Sequence, residues 1–181
     1  MADEQVRSQP DAPVAVPNPR EIVDEQIVTW YFVAALGYLL ISMLGGLLMA
    51  LQLINHNPLK GIELFSPGRW RLVHTNAVAY GFIANAFLGG LHWAVPRLTL
   101  KPVLDRRLSW VIFGAWQLVV LSTAVGLLLG QAQALEWGET PVWIDPVAQL
   151  GLLLVAINFM APIIKLKGPM YVTLWYFIAA L

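Results

Sequence analysis

The sequence contains no cysteine. That excludes disulfides, iron–sulfur clusters and thiolate metal sites built from this chain, so any metal it holds must use histidine, carboxylate, methionine sulfur or backbone oxygen. Charge is also scarce: only 12% of the 181 residues are Asp, Glu, Lys or Arg, about half the usual share in a soluble domain. The 11 basic and 11 acidic residues cancel, and there is no basic tract with interleaved aromatics. Nucleic-acid binding is thereby set aside. The first 26 residues lack the basic start and apolar core of a signal peptide, and neither a phosphate-binding Gly-x-x-x-x-Gly-Lys loop nor a Gly-x-Ser-x-Gly nucleophile turn occurs.

What the chain has in plenty is long apolar runs. Residues 27–54, 72–96, 108–135 and 146–164 each suffice to cross a bilayer as a helix, and a fifth run at 169–181 is too short to span. The expected fold is all-α, a polytopic transmembrane helix bundle over residues 27–181. Residues 1–26, polar and rich in Ala, Pro and acidic groups, read as a disordered cytoplasmic tail. With the connections alternating between sides, the tail and the 97–107 and 165–167 loops carry eight Lys and Arg, against three (Lys60, Arg69, Arg71) on the other side. The excess of positive charge marks the cytoplasmic face and puts the N-terminus inside. Membrane lipid is then the first partner.

A polar imidazole inside an apolar span is costly and marks a function by default. Of three histidines, His56 lies in the Asn55-His56-Asn57-Pro58 turn, and His92 stands near the far boundary beside Trp93, where an amphipathic ring suits the headgroup region. His74 is different, for it opens the second run in the string Gly68-Arg69-Trp70-Arg71-Leu72-Val73-His74-Thr75-Asn76. Eighteen residues of helix separate it from His92, a rise of about 27 Å, so the two cannot share one metal. A neutral imidazole can bind haem iron axially, and Arg69 and Arg71 at the same level can pair with two anionic propionates. The alternative is a helix-start histidine bonded to a neighbouring carbonyl, with both arginines as interfacial anchors.

Glu136, in the outer connection between the third and fourth spans, lies on the same side as His74 and could bind a hard cation or accept a hydrogen bond there. Gln117, Asn85 and Asn158 are mid-span polar groups expected to bond across helices. Most of the tryptophans sit towards span ends as an aromatic belt.

The string from Gly68 to Val78 resembles the start of the second helix in the catalytic subunit of cbb3-type cytochrome c oxidases, the C-family of haem-copper oxidases. Trp116-Gln117-Leu118-Val119, Leu135-Glu136-Trp137, and Met170-Tyr171-Val172 with Trp175-Tyr176 agree in order, so the resemblance covers residues 65–181. It implies the first four to five helices of the subunit I fold, with His74 an axial ligand of the low-spin haem b, Arg69 and Arg71 in its propionate surroundings, and Glu136 where that family places calcium. The family's second glutamate, two residues earlier, is replaced here by Ala134. The implied activity is that of a proton-translocating cytochrome c oxidase of the bacterial inner membrane. Electrons would come from c-type cytochrome subunits and pass through the low-spin haem to a high-spin haem and copper, where oxygen becomes water.

The other haem ligand and the copper ligands lie in later helices of that family, beyond Leu181. They are expected from the rest of the subunit or from a second polypeptide completing it, and this chain alone lacks the active-site ligands. The alternatives from the same residues are a nitric-oxide reductase large subunit, or a non-catalytic membrane subunit of a respiratory or photosynthetic complex.

Overall fold

In a computed structural model, residues 18–181 are described, and every regular element among them is helical. The expected tail falls outside the described residues up to position 17; the part that follows forms a helical turn, Pro19–Ile22, and Val23 is buried. Four long apolar helices follow: α1 (Glu25–Leu53), α2 (Pro67–Thr99), α3 (Arg106–Leu128) and α4 (Asp145–Ile164). A short α5 covers Val172–Ala180. The chain is a multi-pass membrane protein, and the exposed apolar side chains of α1, among them Leu36, Leu40, Leu44 and Leu47, meet lipid or further protein rather than water.

Local chemistry fixes the helix ends. The Asp24 carboxylate accepts from Gln26 N at 3.2 Å and that of Asp105 from Leu108 N at 2.8 Å, each satisfying an amide that the first helical turn leaves without a partner. Helix α2 begins at Pro67, earlier than the apolar run starting at 72, because proline suits the first turn and its missing N–H costs nothing there. Helix α3 stops at Leu128, well short of the expected 135. Gly130 takes φ +80, and the polar Gln131 and Gln133 turn the chain into the long connection to α4. Hydropathy alone reads through such a turn.

That connection folds back on the bundle. A Cβ built on Gly126 would lie 2.2 Å from Cγ of Pro141, so only glycine lets the connection lie against α3. Gly126→Ala is expected to destabilise the protein by about 1–3 kcal/mol by overpacking. Gly114→Ala, where nothing stands within 4 Å, is the control, and thermal unfolding in detergent measures both.

The core joins α1, α2, α3 and α4 through Tyr31, Leu91, Ile112 and Phe159 among others. The mid-span polar groups bond across helices as expected. Gln117 Nε2 donates to Asn85 Oδ1 at 2.7 Å, tying α3 to α2, and Asn158 Nδ2 donates to Ser109 Oγ at 2.9 Å, tying α4 to α3. Arg106 pairs with Asp24 at 2.7 Å and Lys101 Nζ donates to the Lys165 carbonyl. The N-terminal segment and the 97–107 and 165–167 loops therefore meet at one end of the bundle.

The unexpected element is within α2. Over Ala77–Ile83 the helix widens to π geometry, and the carbonyls it turns aside are met by side chains. Trp116 Nε1 donates to the Tyr80 carbonyl at 3.1 Å and Asn85 Nδ2 to the Gly81 carbonyl at 2.6 Å. Segments of this kind concentrate at functional sites.

Candidate functional site

His74 sits on the last α-helical turn before that π segment. Its ring lies against α1, where Nδ1 is 2.8 Å from the Ser42 carbonyl oxygen and 3.3 Å from Ser42 Oγ. A carbonyl can only accept, so Nδ1 carries the hydrogen and donates it. Nε2 is left with its lone pair and makes no hydrogen bond among the described residues. A histidine whose other nitrogen is held this way is fixed in tautomer and ring orientation, which is the usual arrangement of a metal-ligating imidazole.

Gly45 and Gly46 of α1 make room for this contact. Trp70 Nε1 donates to the Gly45 carbonyl at 3.2 Å, and a Cβ on Gly46 would stand 3.0 Å from Cε1 of His74. The glycine pair, which in sequence reads only as a close helix approach, is the seat of two side chains from one face of α2.

The two arginines part company. Arg69 donates Nη2 to Glu63 Oε1 at 2.7 Å and Nη1 to the Leu128 carbonyl at 3.1 Å, tying α2 to the end of α3. Arg71 is exposed and lines a recess together with Thr75, Gln133, Glu136 and Glu139. Glu136 is thus brought to the same recess as Arg71, as the side assignment requires. It makes no hydrogen bond or ion pair among the described residues.

Glu139 and Asp145 are engaged within the protein. Glu139 Oε2 accepts from Asn76 Nδ2 at 3.3 Å; Asp145 accepts from Thr140 Oγ1 at 2.6 Å and Gln133 Nε2 at 2.7 Å. The partners of Asp145 lie in the connection and that of Glu139 in α2, and no periodic pattern encodes how the connection folds to meet them. Among the described residues no group of three or more His, Asp or Glu could hold a metal ion. Glu136 and Glu139 are the two carboxylates that line the recess beside Arg71.

His56 is exposed in the turn after α1. His92 is not in a headgroup setting but 2% exposed in the core, with its ring stacked on Tyr31 at 5.1 Å and edge-on to Phe159 at 4.7 Å. Nδ1 lies 2.9 Å from the Leu88 carbonyl of its own helix. His92 likewise has Nδ1 on a carbonyl and Nε2 without a partner among the described residues, but its ring is closed in by Tyr31 and Phe159, whereas the His74 ring is only partly buried, at the Arg71 end of the bundle.

A protein-family model described as Cytochrome C and Quinol oxidase polypeptide I matches residues 26–181. The cytochrome c oxidase subunit 1 of Rhodobacter capsulatus is 30% identical over 121 residues, covering 66% of this chain and 23% of the relative. A cytochrome c oxidase subunit 1 homolog of Agrobacterium tumefaciens (strain T37) is 29% identical over 170 residues, covering 92% and 31%. A cbb3-type cytochrome c oxidase subunit of Stutzerimonas stutzeri is 32% identical over 111 residues, covering 61% and 23%. The chain thus spans about a quarter to a third of the length of these relatives.

Proposed function

Because this chain belongs to the Cytochrome C and Quinol oxidase polypeptide I family, we propose that it is the haem-binding N-terminal portion of a terminal oxidase subunit I, in which His74 is an axial ligand of a low-spin haem b. The observation that carries this reading is the 2.8 Å bond from His74 Nδ1 to the Ser42 carbonyl, which leaves Nε2 free to ligate. A haem there would accept and pass on one electron at a time. The chain's own part is to fix the imidazole. Donation to Ser42 fixes the tautomer and holds the ring plane, and Gly46 keeps the space beside it clear.

Arg71, exposed and free to pair with an anion, suits a propionate better than Arg69. Arg69 has five N–H groups, and the two spent on Glu63 and Leu128 still leave donors for an anion beside it. The assembly would take electrons from c-type cytochrome subunits and reduce oxygen to water at a haem-copper centre supplied by other helices, with proton translocation. The eight-to-three distribution of Lys and Arg supports a bacterial inner-membrane protein with its N-terminus in the cytoplasm.

The test is the haem content of the complete assembly purified from membranes, with its reduced-minus-oxidised spectrum. Extractable b-type haem with a low-spin band is expected; an assembly without haem overturns the proposal. A second expectation concerns the seat of the ring. Gly46→Val places a branched side chain where one carbon already stands 3.0 Å from the imidazole, so the low-spin band falls several-fold, whereas Gly37→Val, with open space around it, leaves the band intact.

A further inference from the structure

A hydroxyl inside a helix commonly bonds back to the carbonyl one turn earlier. Thr29, Thr75, Thr99 and Ser109 each do so, donating to the carbonyl four residues before them at 2.8, 3.1, 2.8 and 3.1 Å. Ser42 of α1 forgoes that bond. It is 2% exposed, and the one partner of its Oγ among the described residues is Nδ1 of His74, at 3.3 Å.

The role of each atom follows from the shorter contact. The Ser42 carbonyl stands 2.8 Å from the same nitrogen and can only accept, so Nδ1 carries the hydrogen. Oγ therefore faces a hydrogen and not a lone pair, and it accepts too, as the longer and weaker arm of a three-centre bond. The hydroxyl turns its own hydrogen away and leaves the Tyr38 carbonyl, which its helix offers, unused.

Two oxygens of one residue thus meet one N–H, and they differ in what they require of the sequence. Any residue at this position supplies the carbonyl, which suffices to hold the ring; only a side chain with an acceptor supplies the second oxygen. That oxygen adds negative potential behind the imidazole, where burial keeps water from taking its place. Hydrogen bonding to an axial ligand is one of the protein's levers on the potential of a haem iron. Oxidation leaves the iron one unit more positive, the ring shares that charge with its N–H, and an oxygen lone pair beside it favours the oxidised state.

We infer that Ser42 Oγ is a positioning residue for electron transfer, one that acts through His74 to hold the reduction potential down. The inference rests on the reading of His74 as a haem ligand. It is tested on the complete assembly by a redox titration of the low-spin band, together with the EPR spectrum of the oxidised form. Ser42→Ala should keep the band and, with the carbonyl still in place, the g-values that report ring orientation. Reduction should become more favourable by about threefold, a rise of about 30 mV at about 59 mV per tenfold. Ser42→Cys, with a weakly accepting sulfur, should fall between alanine and serine, and it carries the test by itself if the alanine variant does not assemble. Thr99→Val, which removes a buried hydroxyl already bonded to its own helix, should leave the potential where it was. An unchanged or lowered potential in both Ser42 variants overturns the inference while leaving His74 as a ligand. So does a rise accompanied by altered g-values, which would report a displaced ring and not a lost acceptor. An assembly without low-spin haem overturns both readings.

Discussion

Replacing His74 with alanine is expected to abolish the low-spin b-type band from the reduced-minus-oxidised spectrum of the complete assembly. The expectation is total loss because the chain offers no substitute within reach. His56 is exposed beyond the end of α1, and His92 is packed between Tyr31 and Phe159 in the core. An axial ligand sets both the retention of the haem and the potential of its iron, so alanine, with no donor atom, removes both at once. His56→Ala should leave the band unchanged, and His92→Phe, which keeps an aromatic ring in the stack, should keep it as well. A band that survives His74→Ala sinks the ligand assignment, whichever family the chain belongs to.

The second large effect is expected at Asn85, which is fully buried and holds three partners. Its Nδ2 donates to the Gly81 carbonyl at 2.6 Å and to the Tyr80 carbonyl at 3.4 Å, and its Oδ1 accepts from Gln117 Nε2 at 2.7 Å. Asn85→Leu strips all three in an environment without water to replace them, for a cost of about 1–3 kcal/mol. Gln117→Leu costs less, since only Asn85 Oδ1 loses its donor. The double variant Asn85→Leu/Gln117→Leu should be more stable than the sum of the two single losses implies, because it removes the Gln117 amide that Asn85→Leu alone would orphan. Denaturant titration of all four proteins in detergent measures the coupling. Strict additivity would show that the pair does not act as a unit.

Apolar length made the four long helices readable, since a helix is the structure that satisfies its own backbone in lipid. The same logic singled out His74, the one imidazole opening an apolar run beside two arginines, and marked Gln117, Asn85 and Asn158 as groups that must bond across helices, though not with which partner. The limits of α3 were not readable in this way, because hydropathy does not register the backbone turn at Gly130. Nor was the division between Arg69 and Arg71, which are two residues apart in sequence and therefore on different sides of one helix. The Ser42 carbonyl, the group that orients His74, was invisible for a plainer reason: a backbone oxygen has no letter in the sequence. The aromatic-belt reading missed Trp116 as an interior donor, because its partner exists only where α2 departs from regular geometry.

The π segment at Ala77–Ile83 also acts as a phase setter. An α-helix advances about 100° per residue, and a wide turn of this kind is equivalent to one residue slipped into the ladder. Everything before it in α2, including the faces of Trp70 and His74, is therefore offset by about one residue's rotation from everything after it, including Leu91 and His92. Deleting a single residue there would let the ladder close as ordinary helix and would turn one half of α2 against its neighbours. Either the His74 ring would leave the glycine pair of α1, or the His92 ring would leave its stack on Tyr31. The helix tolerates many substitutions along its lipid face, but its residue count between these two rings is fixed.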